Sequence, residues 1–110
     1  MLKGLGGLGN LAGMGNVLKE MQTKLADIEE ELADQTVEGT AGGGMVTVVA
    51  NGRQEIKSVT IDQELLDPEE LDMLQDMIAA ATNKALEKSL ELRREKLSSL
   101  TGGLKIPGLM

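Results

Sequence analysis

The sequence contains no cysteine, no histidine and no aromatic residue among its 110 positions. Without cysteine, neither a disulfide framework nor a thiolate metal site can form, and a reducing cytoplasm is the natural setting. Without histidine or cysteine, two of the common catalytic side chains are missing, the serines have no recognisable base, and nothing in the sequence favours catalysis by the carboxylates that remain. We therefore predict no enzyme, and assign no catalytic residue, metal ligand or cofactor.

The lack of aromatic side chains also bears on the core and on the ligand. Aromatic residues supply much of the buried area in small cores, so this core must use Leu, Ile, Val, Met and Ala, which favours regular packing and a partner chain. Binders of single-stranded nucleic acid usually stack bases on aromatic rings, which disfavours that class. No apolar run approaches the roughly 18 residues that span a bilayer. The start resembles no signal peptide, and we predict a cytoplasmic protein without a membrane partner.

A first helix is predicted from Met14 to about Gln35. Apolar residues recur there at alternating spacings of four and three, which is typical of a narrow seam that packs against another helix: Met14, Leu18, Met21, Leu25, Ile28 and Leu32. Residues 1–13 are rich in glycine and leucine, and we expect them to form a flexible segment.

A second helix is predicted from Pro68 to about Leu100, followed by a tail over residues 101–110. Asp67 can cap its start and Pro68 suits its first position. One face at about 100° per residue is apolar: Leu71, Leu74, Ile78, Ala81, Ala85 and Leu92.

Three strands are predicted between the helices: Thr36–Thr40, Met45–Asn51, and a run that contains Val59–Ile61. Asn51-Gly52 predicts a type I′ hairpin turn, which needs positive φ at both central residues. The result is an α+β fold in a single domain, with a three-strand antiparallel meander in an α-β-β-β-α order.

Three possible motifs are better explained by local structure. Gly4-x-Gly6-x-x-Gly9 matches the dinucleotide-binding pattern, but no strand stands before it and no βαβ unit follows. Gly42–Gly44 lacks the Lys-Ser/Thr pair of a phosphate-binding loop, so we interpret it as a hairpin connection. The acidic string from Asp62 to Glu70 lacks the spacing of a calcium loop, and helix capping explains most of it.

Charge is unevenly distributed along the chain, whose net charge is −7. Residues 1–24 hold three Lys against one Glu, and residues 84–110 hold six basic residues against three Glu. The stretch 25–83 holds two basic residues against fourteen acidic ones. The acidity is therefore in the middle, and both ends are basic.

The order of charge within the helices favours a positive pole. In the second helix, acids at the start and bases at the end complement the helix dipole. The first helix has the reverse order, so the dipole does not explain the acids at its end: Glu29, Glu30, Glu31 and Asp34. If the helices pack antiparallel, both basic segments fall at one pole. Two interpretations stay open, a solvated helix end and a pole that meets a polyanion.

Helix length indicates where that pole lies. A helix over residues 68–100 is about 50 Å long, whereas the strand Met45–Asn51 covers only about 23 Å. The helix must overhang the sheet, and the overhang carries Arg93 and Arg94. An apolar arm and an open sheet are both unstable in water, so we expect the arm to pack on the first helix, on a partner chain or on both, and we predict a homodimer.

Four stretches carry a family resemblance over almost the whole chain: "GLGNLAGMGNVLKEMQTKL", "VEGTAGGGMVTVVANGRQEIKSVTID", "LLDPEELDMLQDMIAAATNKAL" and "GGLKIPGLM". In these the chain resembles the YbaB/EbfC family of bacterial nucleoid-associated proteins. The resemblance implies a tweezer-like homodimer that binds double-stranded DNA with its protruding helices, in the nucleoid, with a role in nucleoid organisation and gene regulation.

By that analogy, the DNA-binding candidates are basic residues of both helices: Lys19 and Lys24 on the first, and Lys84, Lys88, Arg93, Arg94 and Lys96 on the second. The arginines would contact phosphates, and the lysines would add long-range attraction. No cofactor, metal or small-molecule substrate is implied.

A second hypothesis is a non-enzymatic dimeric scaffold or adaptor that binds a partner protein through apolar tails and the helix overhang. Steeply salt-dependent DNA binding would favour the first hypothesis. Salt-insensitive protein partners without DNA binding would favour the second.

Overall fold

The structure, a computed structural model, describes residues 2–102, with side chains from residue 13 to residue 100. Its elements follow the order α1 (Leu2–Asp34), β1 (Thr36–Ala41), β2 (Val46–Asn51), β3 (Ile56–Ile61) and α2 (Leu71–Gly102). Two short 3-10 turns, Gln63–Leu65 and Pro68–Glu70, connect β3 to α2. The predicted α+β fold with α-β-β-β-α order is confirmed, while the predicted tail beyond residue 102 lies outside the described residues.

The three strands form an antiparallel sheet in the order β1-β2-β3, with one apolar and one polar face. On the apolar face, Val46, Val48 and Ala50 of β2 are fully buried, because α2 lies across β1 and β2. Alternate residues point to the opposite face, where Ser58 and Thr60 of β3 are exposed. The sheet and α2 therefore form two layers with the core between them.

The helix α2 approaches β1 closely because both surfaces carry small residues. Ala81 and Ala85 are fully buried, and a Cβ atom on Gly39 would overlap the backbone of both. Leu74 and Ile78, from the predicted apolar face of α2, pack against the same core. Gly39 is therefore the position that lets the helix lie directly on the sheet.

The start of α2 follows the predicted cap. The Asp67 carboxylate accepts a hydrogen bond from the Glu69 N–H at 3.0 Å, and Pro68 opens the 3-10 turn that continues into α2. Leu71, in contrast, is 51% exposed. It belongs to the predicted apolar face, but as the first residue of α2 it lies outside the core cluster that Leu74 and Ile78 join.

The buried residue Asn51 joins three parts of the chain through its side chain and its carbonyl oxygen. Its Nδ2 donates to the carbonyl oxygen of Ala33 in α1 (3.2 Å) and to the Glu55 carboxylate (2.8 Å). Its Oδ1 accepts from the N–H groups of Arg53 and Glu55 (3.0 Å each). The Ser89 hydroxyl of α2 donates to the Asn51 carbonyl oxygen at 2.6 Å. We call this the Asn51 hub, and it fixes α1, the β2–β3 loop and α2 at one point.

The β2–β3 turn lies where the sequence predicted it, but the predicted type I′ geometry is wrong. The residue with positive φ is Gln54 (62°), not Asn51 or Gly52. Gln54 N–H donates to the Asn51 carbonyl oxygen (3.1 Å), and Asn51 N–H donates to the Glu55 carbonyl oxygen (2.9 Å). These bonds close a three-residue loop. Asn51 ends β2 with its side chain directed into the hub, so it does not serve as a turn centre.

Gly52 is required by the proximity of α1. Its N–H donates to the carbonyl oxygens of Leu32 (2.7 Å) and Gln35 (3.1 Å). A Cβ atom at Gly52 would lie 2.5 Å from Leu32 Cδ2 and 3.0 Å from the Leu32 carbonyl oxygen. Because Leu32 is fully buried, a side chain at this position would force α1 away from the loop.

The helix α1 begins at Leu2, so the predicted start at Met14 is wrong. Residues 1–13, expected to lie outside the helix, belong to it from Leu2 onward. Each glycine weakens a helix by only about 1 kcal/mol relative to alanine, whereas proline breaks one. No proline occurs in residues 2–34, and the helix therefore continues through the glycines.

The two helices run antiparallel where they meet, and together they form an arm beyond the sheet. Leu32 of α1 and Ser89 of α2 both contact the β2–β3 loop. Further out, Lys24 and Leu100 line a common groove. The α2 overhang thus packs on α1, the N-terminal part of α1 continues past the end of α2, and the principal extents are 78 × 25 × 20 Å.

The Gly52→Ala substitution is expected to lower the free energy of unfolding by about 1–3 kcal/mol, because the added methyl group meets Leu32. Gln54→Gly is expected to leave it unchanged or raise it by up to about 1 kcal/mol, since glycine accepts positive φ. Urea denaturation of both variants tests the turn. A Gln54→Gly variant as unstable as Gly52→Ala would contradict the assigned geometry.

Candidate functional site

A set of ion pairs lies at the base of the arm and links α1, the β2–β3 loop and α2. The Glu29 carboxylate accepts a hydrogen bond from Arg93 Nη2 at 2.6 Å and lies 3.6 Å from Arg53 Nε. Lys96 Nζ lies 3.2 Å from the Glu31 carboxylate. We call these five residues the arm cluster.

The arm cluster accounts for the reversed charge order of α1. Because the helices are antiparallel, the acidic end of α1 lies beside the basic end of α2, where Glu29 meets Arg93 and Glu31 meets Lys96. The hydrogen bond from Arg93 holds the pKa of Glu29 below its ordinary value, and the charges of Arg93 and Arg53 act in the same direction against desolvation. Glu29 and Glu31 of α1 therefore serve pairing between the helices and not the helix dipole.

The seven basic residues selected from the sequence occupy three different environments. Arg93 and Lys96 are paired in the arm cluster. Lys84 lies over the sheet, where its Nζ donates to the carbonyl oxygen of Thr40 at 3.2 Å. The remaining four are exposed and, within the described residues, have no carboxylate within ion-pair distance: Lys19, Lys24, Lys88 and Arg94.

The structure brings only part of this set together. Lys24 and Lys96 line one groove between the helices, beside the arm cluster. Arg94 lies in a shallow depression on the exposed surface of α2, next to Glu91 and Glu95. Lys84 is about 14 Å from Arg93 along the helix axis, at roughly 1.5 Å per residue, and is directed towards β1. The cations thus extend along the arm and do not form one compact patch.

Arg53 belongs to the arm cluster although the sequence reasoning did not select it. It is an isolated base within the acidic middle of the chain, so charge counting assigns it to the acidic region. The Asn51 hub holds its loop against the end of α1 and so brings it to Glu29. The sequence signal that could have identified Arg53 was its position directly after the predicted turn, at the edge of the sheet from which the helices extend.

The chemistry that these side chains offer is electrostatic. Guanidinium and ammonium groups form charge-assisted hydrogen bonds with phosphate and carboxylate oxygens. Among the described residues, no group of three or more acidic, histidine or cysteine side chains could hold a metal ion. Over the same residues, neither helix combines the length and apolarity needed to cross a membrane.

Comparison with known proteins shows the family to which this chain is similar. The model of the YbaB/EbfC DNA-binding family matches residues 7–104. A nucleoid-associated protein of Pelotomaculum thermopropionicum is 52% identical over 101 residues, covering 92% of this chain and 96% of that protein. One from Bacillus thuringiensis is 49% identical over 105 residues, covering 96% of both chains.

A solved structure supports the similarity at the level of the fold. The crystal structure of an uncharacterized protein from Helicobacter pylori superposes with a TM-score of 0.74 at 29% sequence identity. The match covers 81% of this chain and 94% of the other.

The Glu29 ion pairs predict a pH-dependent contribution to stability. Because the pKa of Glu29 is lower in the folded state, this contribution is present above the ordinary glutamate pKa and is lost as pH falls through the folded-state value. The difference in unfolding free energy between wild type and Glu29→Gln, about 0.2–1 kcal/mol for an exposed pair, should be constant above the ordinary glutamate pKa and shrink as the pH falls below it. Urea titrations on both sides of that pKa measure it, with Glu30→Gln as the control for removal of a neighbouring charge. A difference that does not depend on pH would contradict the assigned ion pairs.

Proposed function

The chain belongs to the YbaB/EbfC DNA-binding family, and on that premise we propose that it binds duplex DNA as a homodimer, mainly through phosphate contacts. Relatives at about half identity carry the name nucleoid-associated protein. We extend that location to this chain, which places it in the nucleoid and hence in the cytoplasm, with a role in nucleoid organisation and gene regulation.

The observation that carries the proposal is the projecting arm with its unpaired cations. Lys19, Lys24 and Arg94 are exposed beyond the sheet, where a duplex could approach without meeting the acidic 3-10 turns before α2. Phosphate contacts of this kind do not require aromatic stacking or base-specific side chains. In this proposal Lys88 and Lys84 add attraction nearer the sheet, and Arg93 and Lys96 contribute once they are released from their carboxylates.

Two uncovered apolar surfaces support the homodimer. On the sheet, Ile56 and Val59 of β3 are 43% and 45% exposed, although their partners Ala50 and Val48 are fully buried. They lie on the same face as these partners, and α2 covers only the β1 and β2 part of that face. A second copy that covers β3 would bury this surface and protect an open strand edge.

The second surface is the seam of α1 predicted from the sequence. Leu32 is fully buried, but Met14 and Leu18 are each 57% exposed, because this part of α1 lies beyond the end of α2. The same exposed seam favours the scaffold hypothesis, in which another protein covers it. DNA affinity that falls steeply with salt supports DNA binding, whereas a protein complex insensitive to salt supports the scaffold.

Replacing Arg94 tests the phosphate contacts. Each lost contact should reduce the slope of log K against log salt by about 0.9, so Arg94→Ala in a dimer is expected to reduce it by roughly 1 to 2, with similar weakening on unrelated sequences. Fluorescence anisotropy with labelled duplexes over a series of salt concentrations measures the slope.

The matched control for this experiment is Arg94→Lys, which keeps the positive charge and should keep most of the slope. Circular dichroism and sedimentation confirm that both variants are folded and assembled as wild type is. An unchanged slope for a folded Arg94→Ala variant would remove Arg94 from the interface.

Sedimentation tests the homodimer and its surface. We expect twice the chain mass of 11.7 kDa at micromolar concentration. Val59→Asp places a charge on the uncovered face and should shift the protein to monomer, whereas Thr60→Asp adds the same charge to the polar face and should not. A monomeric wild type would refute the homodimer, and a dimeric Val59→Asp would refute this surface.

A further inference from the structure

Two cations proposed for DNA binding already have anionic partners within the chain. Arg93 donates to Glu29 at 2.6 Å, and Lys96 lies 3.2 Å from the Glu31 carboxylate. A phosphate oxygen that accepts from Arg93 Nη2 competes with the Glu29 carboxylate for that donor, and a phosphate that uses another N–H of the same guanidinium is repelled by the carboxylate beside it. The free energy of that competition or repulsion is part of the binding free energy.

We infer that Glu29 acts as an internal competitor of DNA phosphate, holding Arg53 and Arg93 in ion pairs and thereby lowering the affinity of the arm for DNA. This inference rests on the proposed function. It assigns to an acidic residue of α1 a part in setting DNA affinity, and it adds Arg53 of the β2–β3 loop to the cations that DNA can recruit.

The exposure of the pairs makes the exchange feasible. The side chains of Glu29 and Arg93 are each 34% exposed, and that of Arg53 is 51% exposed. Phosphate can therefore reach both guanidinium groups without unfolding the arm. An exposed ion pair is also weak enough to be displaced, since solvent already screens it.

Among the acids of α1, Glu29 is the strongest competitor of phosphate because of its position at the junction. It contacts one arginine from the loop and one from α2, both of which the Asn51 hub holds near the end of α1. Glu30, its neighbour in sequence, is exposed and has no ion pair within the part of the chain that the structure describes. The chain thus supplies a matched control with the same change of charge.

The experiment compares the DNA affinity of Glu29→Gln and Glu30→Gln by fluorescence anisotropy on one duplex at fixed salt. Both variants lose one negative charge, so both gain the same general attraction to DNA. Glu29→Gln should bind more tightly than Glu30→Gln by about 2- to 5-fold for each protomer engaged, the range expected for release of an exposed ion pair. Glu31→Gln, which releases Lys96, should show a smaller gain in the same direction.

A comparison in a background without the two arginines tests whether Glu29 changes DNA affinity through Arg53 and Arg93. In an Arg53→Ala/Arg93→Ala background, Glu29→Gln should gain no more than Glu30→Gln, because the cations it would release are absent. Thermal unfolding and sedimentation confirm that each variant remains folded and assembled.

The outcomes separate this inference from the proposed function. Wild-type binding with equal affinities for Glu29→Gln and Glu30→Gln would overturn the competitor role alone. Weaker binding by Glu29→Gln would also overturn it and would make Glu29 a positioning residue for Arg93. Absence of DNA binding by every variant at low salt would overturn the proposed function, and the competitor role with it.

Discussion

Asn51 lies fully buried where α1, the β2–β3 loop and α2 meet, and its side chain uses both amide donors and accepts two hydrogen bonds at its oxygen. A buried amide is costly unless such bonds are made. Rotating the loop would break the three bonds to Arg53 and Glu55, and shifting α1 would break the bond to Ala33. The junction of α1, the loop and α2 is therefore joined by this side chain, by the bond from the Ser89 hydroxyl to the Asn51 carbonyl oxygen and by the Gly52 N–H bonds to the end of α1.

The charge arrangement of the arm follows from that junction. Since both helices leave the sheet at the hub and run antiparallel, the acids at the end of α1 face the bases of α2, and Arg53 of the loop meets Glu29. Near the sheet, the charges of the arm cluster are therefore paired with one another. Unpaired lysines lie further out on α1. The free cations Lys19 and Lys24 therefore lie further out along α1 than the acids that pair with Arg93 and Lys96.

Small residues also determine how closely α2 packs on the sheet. Gly39, Ala81 and Ala85 let α2 lie directly on β1, and at that distance one helix covers β1 and β2 but not β3. Ile56 and Val59 of β3 are left without a cover from their own chain, whereas Ile61 packs against the core. The packing that completes the core is thus also the packing that leaves Ile56 and Val59 exposed.

The sequence by itself determined the order and type of the elements, because seam spacing, β-branched runs and the Asp67 cap depend on near neighbours. It also indicated an arm, since helix length and strand length follow from residue counts. Only the tertiary structure decided why Gly52 is glycine, that Arg53 belongs to the arm, and which cations remain unpaired. Each of these depends on contacts between α1 and segments distant in sequence, such as Leu32 with Gly52, and local patterns carry no information about which distant residues meet.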